Sequence, residues 1–342
     1  MKKIIVTGGS GFIGSNLVNY LIEKKFFVIN LDKLTYSSNQ YNHKNKNKKN
    51  YRFYKVDINN KKKLIKIIKK YKPKAIFNLA AETHVDRSID NPESFIKSNI
   101  VGVYNILEAI RYLKKQNINL KLIHISTDEV YGDLNKNIRS DENDPYHPSS
   151  PYSASKASAD HLVKSYIRTY NINAVISNCC NNYGPYQFPE KLIPKMISKI
   201  LNNKKMPIYA KGQNSREWIH VRDHCEALFM LYLKGKSGES YNVGSGINYK
   251  NIDLVKYIIK IFKQKKIKIG NKAKIIFVKD RPGHDFRYAL NSRKIFKKIK
   301  WKSRINVKKG LSETIDWYLN NKKFLDNISK KNYEKRLGLK LW

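Results

Sequence analysis

Lys3-Ile4-Ile5-Val6-Thr7-Gly8-Gly9-Ser10-Gly11-Phe12-Ile13-Gly14 decides the fold. Four β-branched residues run into a glycine-rich turn, and a helical pattern follows over 12–24. The opening is too short and too glycine-interrupted for a signal peptide, so it reads as a first strand. Gly8, Gly11 and Gly14 are spaced GxxGxxG. Glycines there permit a tight turn and let backbone N–H groups approach an anion at the positive end of a helix.

The alternation continues outward. Apolar runs at 27–31, 52–56, 75–79, 120–126 and 174–178 read as buried parallel strands. Helical patterns at 61–71, 92–115 and 151–170 lie between them. This predicts α/β architecture: a Rossmann-type doubly wound parallel sheet over 1–180. Beyond it, Pro185, Pro189, Pro194 and Pro207 interrupt the pattern. Helices are expected at 191–202, 221–233, 252–263 and 307–319, with short strands at 207–209, 241–243 and 274–278. These predict a smaller mixed α/β substrate-binding domain over 181–320, with the chain crossing between the two parts. The polar segment 41–50 reads as a loop, and 321–342 as a basic, partly mobile tail.

The 342 residues are 41% hydrophobic, enough for a substantial core. No apolar run approaches the roughly 18 residues of a membrane span. Three cysteines (Cys179, Cys180, Cys225) make neither a disulfide framework nor a metal array, so no metal is expected and a reducing cytoplasm fits. The net charge of +41 raises the question of a polyanion partner. The lysines are spread over nearly every segment, and in 61–71 they occupy the face opposite Leu64, Ile67, Ile68 and Tyr71. That is a solvated face, so neither nucleic acid nor membrane is expected as a partner.

Asp32 ends the second strand, 18 residues beyond Gly14, where an acid binds both ribose hydroxyls of adenosine. It would repel a 2′-phosphate, which favours NAD, although Lys33 weakens that preference. The expected cofactor set is Gly8, Gly11, Phe12, Ile13, Gly14, Asp32, Lys33, Leu34, Thr35, Asp57, Ile58, Leu79, Ala80, Ala81, Thr83, Ser98 and Asn181 with Tyr152 and Lys156. A cofactor-free α/β protein with a glycine-rich turn is the simpler alternative.

Two further groups carry chemistry. Tyr152 and Lys156 stand four apart and share a helix face. An ammonium beside a phenol favours the phenolate, which can take a proton from an alcohol. Pro151 with Ser150 reads as a helix start, placing Tyr152 at the positive end. Asp128 and Glu129 follow Thr127 at the end of a central strand and offer an acid and a base. Capping the next turn is the plainer role for such a pair. A simple alcohol dehydrogenase needs only the Tyr; a chain with both sets is built to oxidise and then eliminate.

Taken with Leu79–Ser88, Ser126–Gly132, Asn181–Pro194, Arg216-Glu217-Trp218 and Asp280–Asp285, these residues resemble the extended short-chain dehydrogenase/reductase superfamily. Within it the chain is similar to the dTDP-glucose 4,6-dehydratases, from Thr7 to about Leu319. The resemblance implies C4 oxidation of a nucleotide sugar, loss of water across C5 and C6, and hydride return to C6. Tyr152 takes the O4 proton, Glu129 removes the C5 proton, Asp128 protonates the departing O6, and Thr127 holds the C4 oxygen. It assigns substrate contacts to Thr83, Thr127, Asn182, Lys191, Leu192, Pro207, Ile208, Tyr209, Arg216, Asn251, Asp280, Arg281, Pro282, Gly283 and His284. Arg216 suits a diphosphate best, because a planar guanidinium grips it bidentately. His84 and His124 read as structural. A homodimer through helices 92–115 and 151–170 is implied as well. The segment 133–148 looks short for the family. A nucleotide-sugar 4-epimerase, a dehydratase of UDP- or GDP-sugars, or a non-catalytic scaffold are the competing readings.

Overall fold

The computed structural model describes residues 1–38, 49–328 and 337–338. The expected loop 41–50 lies outside them except for its last two positions, as do 329–336 and 339–342 of the tail. Six strands come first: β1 (Lys3–Thr7), β2 (Phe27–Asp32), β3 (Tyr51–Lys55), β4 (Ala75–Asn78), β5 (Lys121–Thr127) and β6 (Ala174–Cys179). Six more follow: β7 (Asn181–Tyr183), β8 (Met206–Tyr209), β9 (Ser215–His220), β10 (Ser240–Val243), β11 (Asn248–Lys250) and β12 (Ile275–Val278).

The large sheet runs β10-β6-β5-β4-β1-β2-β3, and every pairing in it is parallel. Alternate side chains of each strand enter opposite layers. Ile4, Val6, Val28, Phe77, Ile123 and Val175 pack on one face. Ile5, Ile29, Ile76, Leu122 and Ile176 pack on the other. Burial on both faces explains why these strands read as continuous apolar runs. The order reverses between β1 and β4, so the carboxyl ends of those strands frame a crevice.

A second core collects Tyr183, Ile193, Trp218, Leu254, Ile258, Leu311 and Tyr318 under the smaller sheets β11-β9-β7 and β12-β8. The chain does not divide at one point. Helix Val221–Lys234 and strand β10 belong to the large sheet, with Cys225, Leu228 and Val243 in its core. The first part of the tail is packed: helix Lys322–Asp326 places Phe324 and Leu325 in the second core.

Three local features departed from the sequence pattern. The helix expected over 92–115 carries a π-helical stretch at Ile96–Val101 before the α-helix Gly102–Lys114. There Asn99 accepts from Glu82 N–H (2.9 Å) and donates to the Glu82 carbonyl and Ser155 Oγ. Such a widened turn re-aims side chains and recurs at functional sites. Strands β7, β9 and β11 escaped the pattern because their polar residues are paid for by tertiary partners, as Glu217 shows: its carboxylate accepts from Arg139, Leu290 N–H and Gly246 N–H. Helices Val85–Asp90 and Arg293–Ile299 are too short to show periodicity.

Candidate active site

Beyond the carboxyl ends of β1, β4 and β5 lies a cavity of about 520 Å³ that reaches into the smaller domain. The glycine-rich turn forms one end. Gly8 adopts φ +67°, and a Cβ on it would lie 2.7 Å from Ala80 N. A Cβ on Gly14 would collide with the Gly8 carbonyl oxygen. Helix Phe12–Glu23 begins at Gly11, which offers no side-chain cap, and its first turn holds no acid. Its leading N–H groups therefore form a cradle suited to a phosphate. Asp32 is buried and fixed from three sides: it accepts from Ser10 N–H (2.9 Å), Leu34 N–H (2.8 Å) and Ser38 Oγ (3.1 Å). Lys33 turns aside, donating to Ser98 Oγ (3.0 Å) and approaching Glu82 (3.6 Å).

The middle of the cavity carries the proton-transfer groups. At the end of β5, Thr127 Oγ1 accepts from Glu129 N–H (3.3 Å), capping the turn Asp128–Tyr131. The turn is thus local, and it sets both carboxyls at the cavity. Asp128 is buried; its Oδ1 accepts from Thr127 (3.2 Å) while Oδ2 has no partner. Burial, with Glu129 and Glu217 nearby, pushes its carboxyl well above the ordinary range. Burial raises Glu129 too, but Arg281, Arg216 and Lys191 pull it back. Both carboxyls are therefore raised, Asp128 the further of the two because three cations face Glu129.

Tyr152 and Lys156 line the same cavity from helix Pro151–Tyr170. The expected cap is present: Ser150 accepts from Ser153 N–H, and Pro151 opens the helix. The phenol itself differs from expectation. Burial pushes Tyr152 well above its usual value, Glu129 adds to that, and Thr127's hydroxyl opposes it. Lys156 Nζ donates to the Ile125 carbonyl on β5 (2.6 Å). Desolvation outweighs the ammonium here.

Most expected positions line this one cavity: Asp57, Ile58, Leu79, Ala80, Ala81, Thr83, Ser98 and Asn181 towards the turn, and Asn182, Lys191, Leu192, Pro207, Ile208, Tyr209, Arg216, Asn251, Arg281 and His284 towards the smaller domain. Four do not. Leu34 stands at φ +61° and contributes through its N–H to Asp32. Asp280 acts one step removed, accepting from His284 Nδ1 (2.6 Å) and Arg281 N–H (2.8 Å). Pro282 and Gly283 are exposed, and Gly283 sits at φ +59°, so this pair makes the turn that carries its neighbours. Arg216 is buried, donates to the Asp285 and Phe286 carbonyls (2.7 and 3.1 Å), and lies over the Tyr288 ring at 4.2 Å. His84 joins the cavity wall, whereas His124 is enclosed beside Asp160 at 3.2 Å.

A family model described as GDP-mannose 4,6 dehydratase matches residues 5–314. The dTDP-glucose 4,6-dehydratase of Haemophilus influenzae is 45% identical, covering 94% of this chain and 99% of its own. The chain belongs to the dTDP-glucose 4,6-dehydratase family. Solved structures agree. The dTDP-glucose 4,6-dehydratase of Bacillus anthracis, in complex with NAD, superposes with TM-score 0.87 at 41% identity, over 96% of this chain and 100% of that one. DesIV of Streptomyces venezuelae, with NAD and TYD bound, gives 0.89 at 35%, with the same coverages.

The cavity is also lined by residues that the sequence reading left out. Asp86 accepts from Arg281 Nη1 (2.9 Å) and from Tyr209 OH (2.6 Å), tying three distant segments at the cavity wall. Burial acts against its charge, but His84, Arg281 and the Tyr209 hydroxyl hold it below the ordinary range. Glu190 accepts from Tyr36 OH (3.0 Å) and Arg87 Nε (3.2 Å), and Arg87 stacks on Tyr36 at 3.8 Å. No spacing announces either acid, since their partners lie 103 to 195 positions away. Lys195 and Lys199 were findable, one and two helical turns beyond Lys191.

Proposed function

We propose that this chain converts dTDP-glucose to dTDP-4-dehydro-6-deoxyglucose, with NAD held in the glycine-rich cradle and regenerated each cycle. The residues fit that cofactor: Gly8 and Gly14 leave no room for a Cβ, Gly11 leaves the helix uncapped, and Asp32 presents a fixed carboxylate for ribose hydroxyls. Bound NAD supplies a hydride acceptor for sugar C4 and later a donor for C6.

The chain supplies the proton transfers. Tyr152 takes the O4 proton; the Thr127 hydroxyl and the positive helix end are the chain's own aids to the phenolate. A ketone at C4 makes the C5 proton acidic, because the carbanion delocalises as an enolate. Glu129, the more readily ionised carboxyl, removes that proton. Asp128, held protonated, gives its proton to O6, and water leaves. The same pair restores the C5 proton after hydride reaches C6. Acid–base groups of this kind each contribute about 10²–10⁴-fold.

The observation that carries this reading is the Asp128 carboxyl, buried with one oxygen unpaired, beside Glu129 in the cavity that holds the glycine-rich turn. A 4-epimerase has no use for that pair. Incubating the purified protein with dTDP-, UDP- and GDP-glucose tests it. A 4-keto sugar that absorbs in alkali, formed fastest from dTDP-glucose, is the expected product; dTDP-galactose, or no turnover, would overturn the reading.

The proposal extends to a homodimer. Ile96, Val101, Tyr104, Tyr112 and Tyr170 are exposed along the paired helical segments 93–114 and 151–170, apolar groups that a second copy would cover. A mass of two chains in light scattering is expected. A cytoplasmic setting is part of the proposal: the three cysteines are buried and free, and no helix among the described residues is long and apolar enough to cross a membrane.

A further inference from the structure

Helix Leu192–Leu201 forms one wall of the cavity. Lys191 precedes it, and Lys195 and Lys199 follow at intervals of one turn, so all three share a face. All three line the cavity. Arg216 and Arg281 line it as well, and Asp86, Glu190 and Glu129 are the nearby carboxylates. Cations thus outnumber anions on this side.

The cations differ in what they hold. Lys191 Nζ donates to the Thr83 carbonyl (2.7 Å). Arg281 pairs with Asp86 (2.9 Å), and Arg216 donates to backbone carbonyls. Lys195 alone among these four makes no hydrogen bond or close ion pair with a described residue, although it feels Asp86 and Glu190 at longer range. The residue is half-buried, so it has lost part of its water while Asp86 and Glu190 act on its charge only at longer range. Burial pulls its pKa down, and Lys191 and Lys199 repel it, each four positions away. Asp86 and Glu190 offset part of this, and a further anion in the cavity would stabilise the charge more.

We propose that Lys195 is a binding residue for the diphosphate of the nucleotide sugar, acting with Lys191 one turn before it. Side chains four apart on a helix stand about 5–6 Å apart at Cβ, which lets two ammonium groups reach adjacent phosphates. The proposal rests on the nucleotide-sugar reading above. It assigns binding rather than chemistry to Lys195, because the proton-transfer groups lie on the turn after β5 and on helix Pro151–Tyr170.

Lys195→Met keeps the bulk and removes the charge. With dTDP-glucose its KM rises about tenfold, the worth of one charged hydrogen bond, while kcat changes less than twofold. The inhibition constants of dTDP and of inorganic pyrophosphate rise by the same factor, and Lys195→Arg recovers most of the loss. Lys66→Gln, an exposed change of equal charge on helix Lys61–Tyr71, leaves all three constants at parental values and separates a local contact from the general positive field. Should Lys195→Met melt early, Lys195→Gln must show the same rise. Equal constants in the Lys195 and Lys66 variants overturn the proposal while leaving the function intact. A parent that binds dTDP but turns over no dTDP-glucose overturns the function, and weaker dTDP binding by Lys195→Met then still supports the contact.

Discussion

The two ends of the cavity are built on different principles. At the glycine-rich end the contacts are made by backbone: Gly8 against Ala80, Gly14 against Gly8, Ser10 and Leu34 N–H groups on Asp32. At the other end they are made by side chains that come from far apart: Asp86 with Tyr209 and Arg281, Glu190 with Tyr36 and Arg87. The first is rigid because space excludes alternatives. The second is held by charges that burial makes costly, so it is strong only while every partner is present. Between them stand Asp128 and Glu129, placed by a local turn but tuned by burial and by charges from the side-chain end.

That contrast predicts a graded series of losses. Glu129→Gln should lower kcat about 10²–10⁴-fold, with reduced nicotinamide still forming when dTDP-glucose is added. Full turnover in that variant would break the division of labour between the two carboxyls. Gly14→Ala comes next: overpacking against the Gly8 carbonyl should cost about 1–3 kcal/mol of stability, read from denaturant unfolding, together with at least a tenfold weaker NAD affinity. Unchanged NAD binding would mean that the turn is merely structural.

The charged end should respond to pH instead. Glu129 must be ionised to act, and its raised pKa places the acid limb of kcat above the ordinary carboxylate range. Arg281 is the first cation that holds it down, so Arg281→Gln should move that limb to higher pH. A limb that stays in place would remove Glu129 as the titrating base. The smallest effect sharpens the comparison most. The folded pKa of Asp128 is raised, so its contribution to stability is present at acid pH and lost as pH rises past the ordinary carboxylate value. At neutral pH Asp128→Asn should therefore raise Tm by about 2–4 °C while lowering kcat. No such gain should follow at Asp32, whose carboxylate already accepts three hydrogen bonds.

What could be read beforehand follows the same line. The large sheet was legible because both of its faces are buried and each strand is an apolar run. Tyr152 with Lys156, and Asp128 with Glu129, were legible because each pair is set by one local element. The short strands β7, β9 and β11 were not, since their polar residues find partners only after folding. Leu34, Asp280, Pro282 and Gly283 sit beside working residues in sequence but support them from behind, a distinction that adjacency along the chain cannot make. At Tyr152 spacing gives proximity to Lys156, while burial leads the shift of the phenol.

By itself the sequence determined the doubly wound sheet, the glycine-rich turn and the presence of an acid, a base and a phenol in one chain. It could do so because periodicity and tight turns are short-range constraints. Only the tertiary structure decided which carboxyl is raised further and which of the described cations around the cavity are already engaged. Those outcomes depend on how much water each group loses and on neighbours brought in from distant segments.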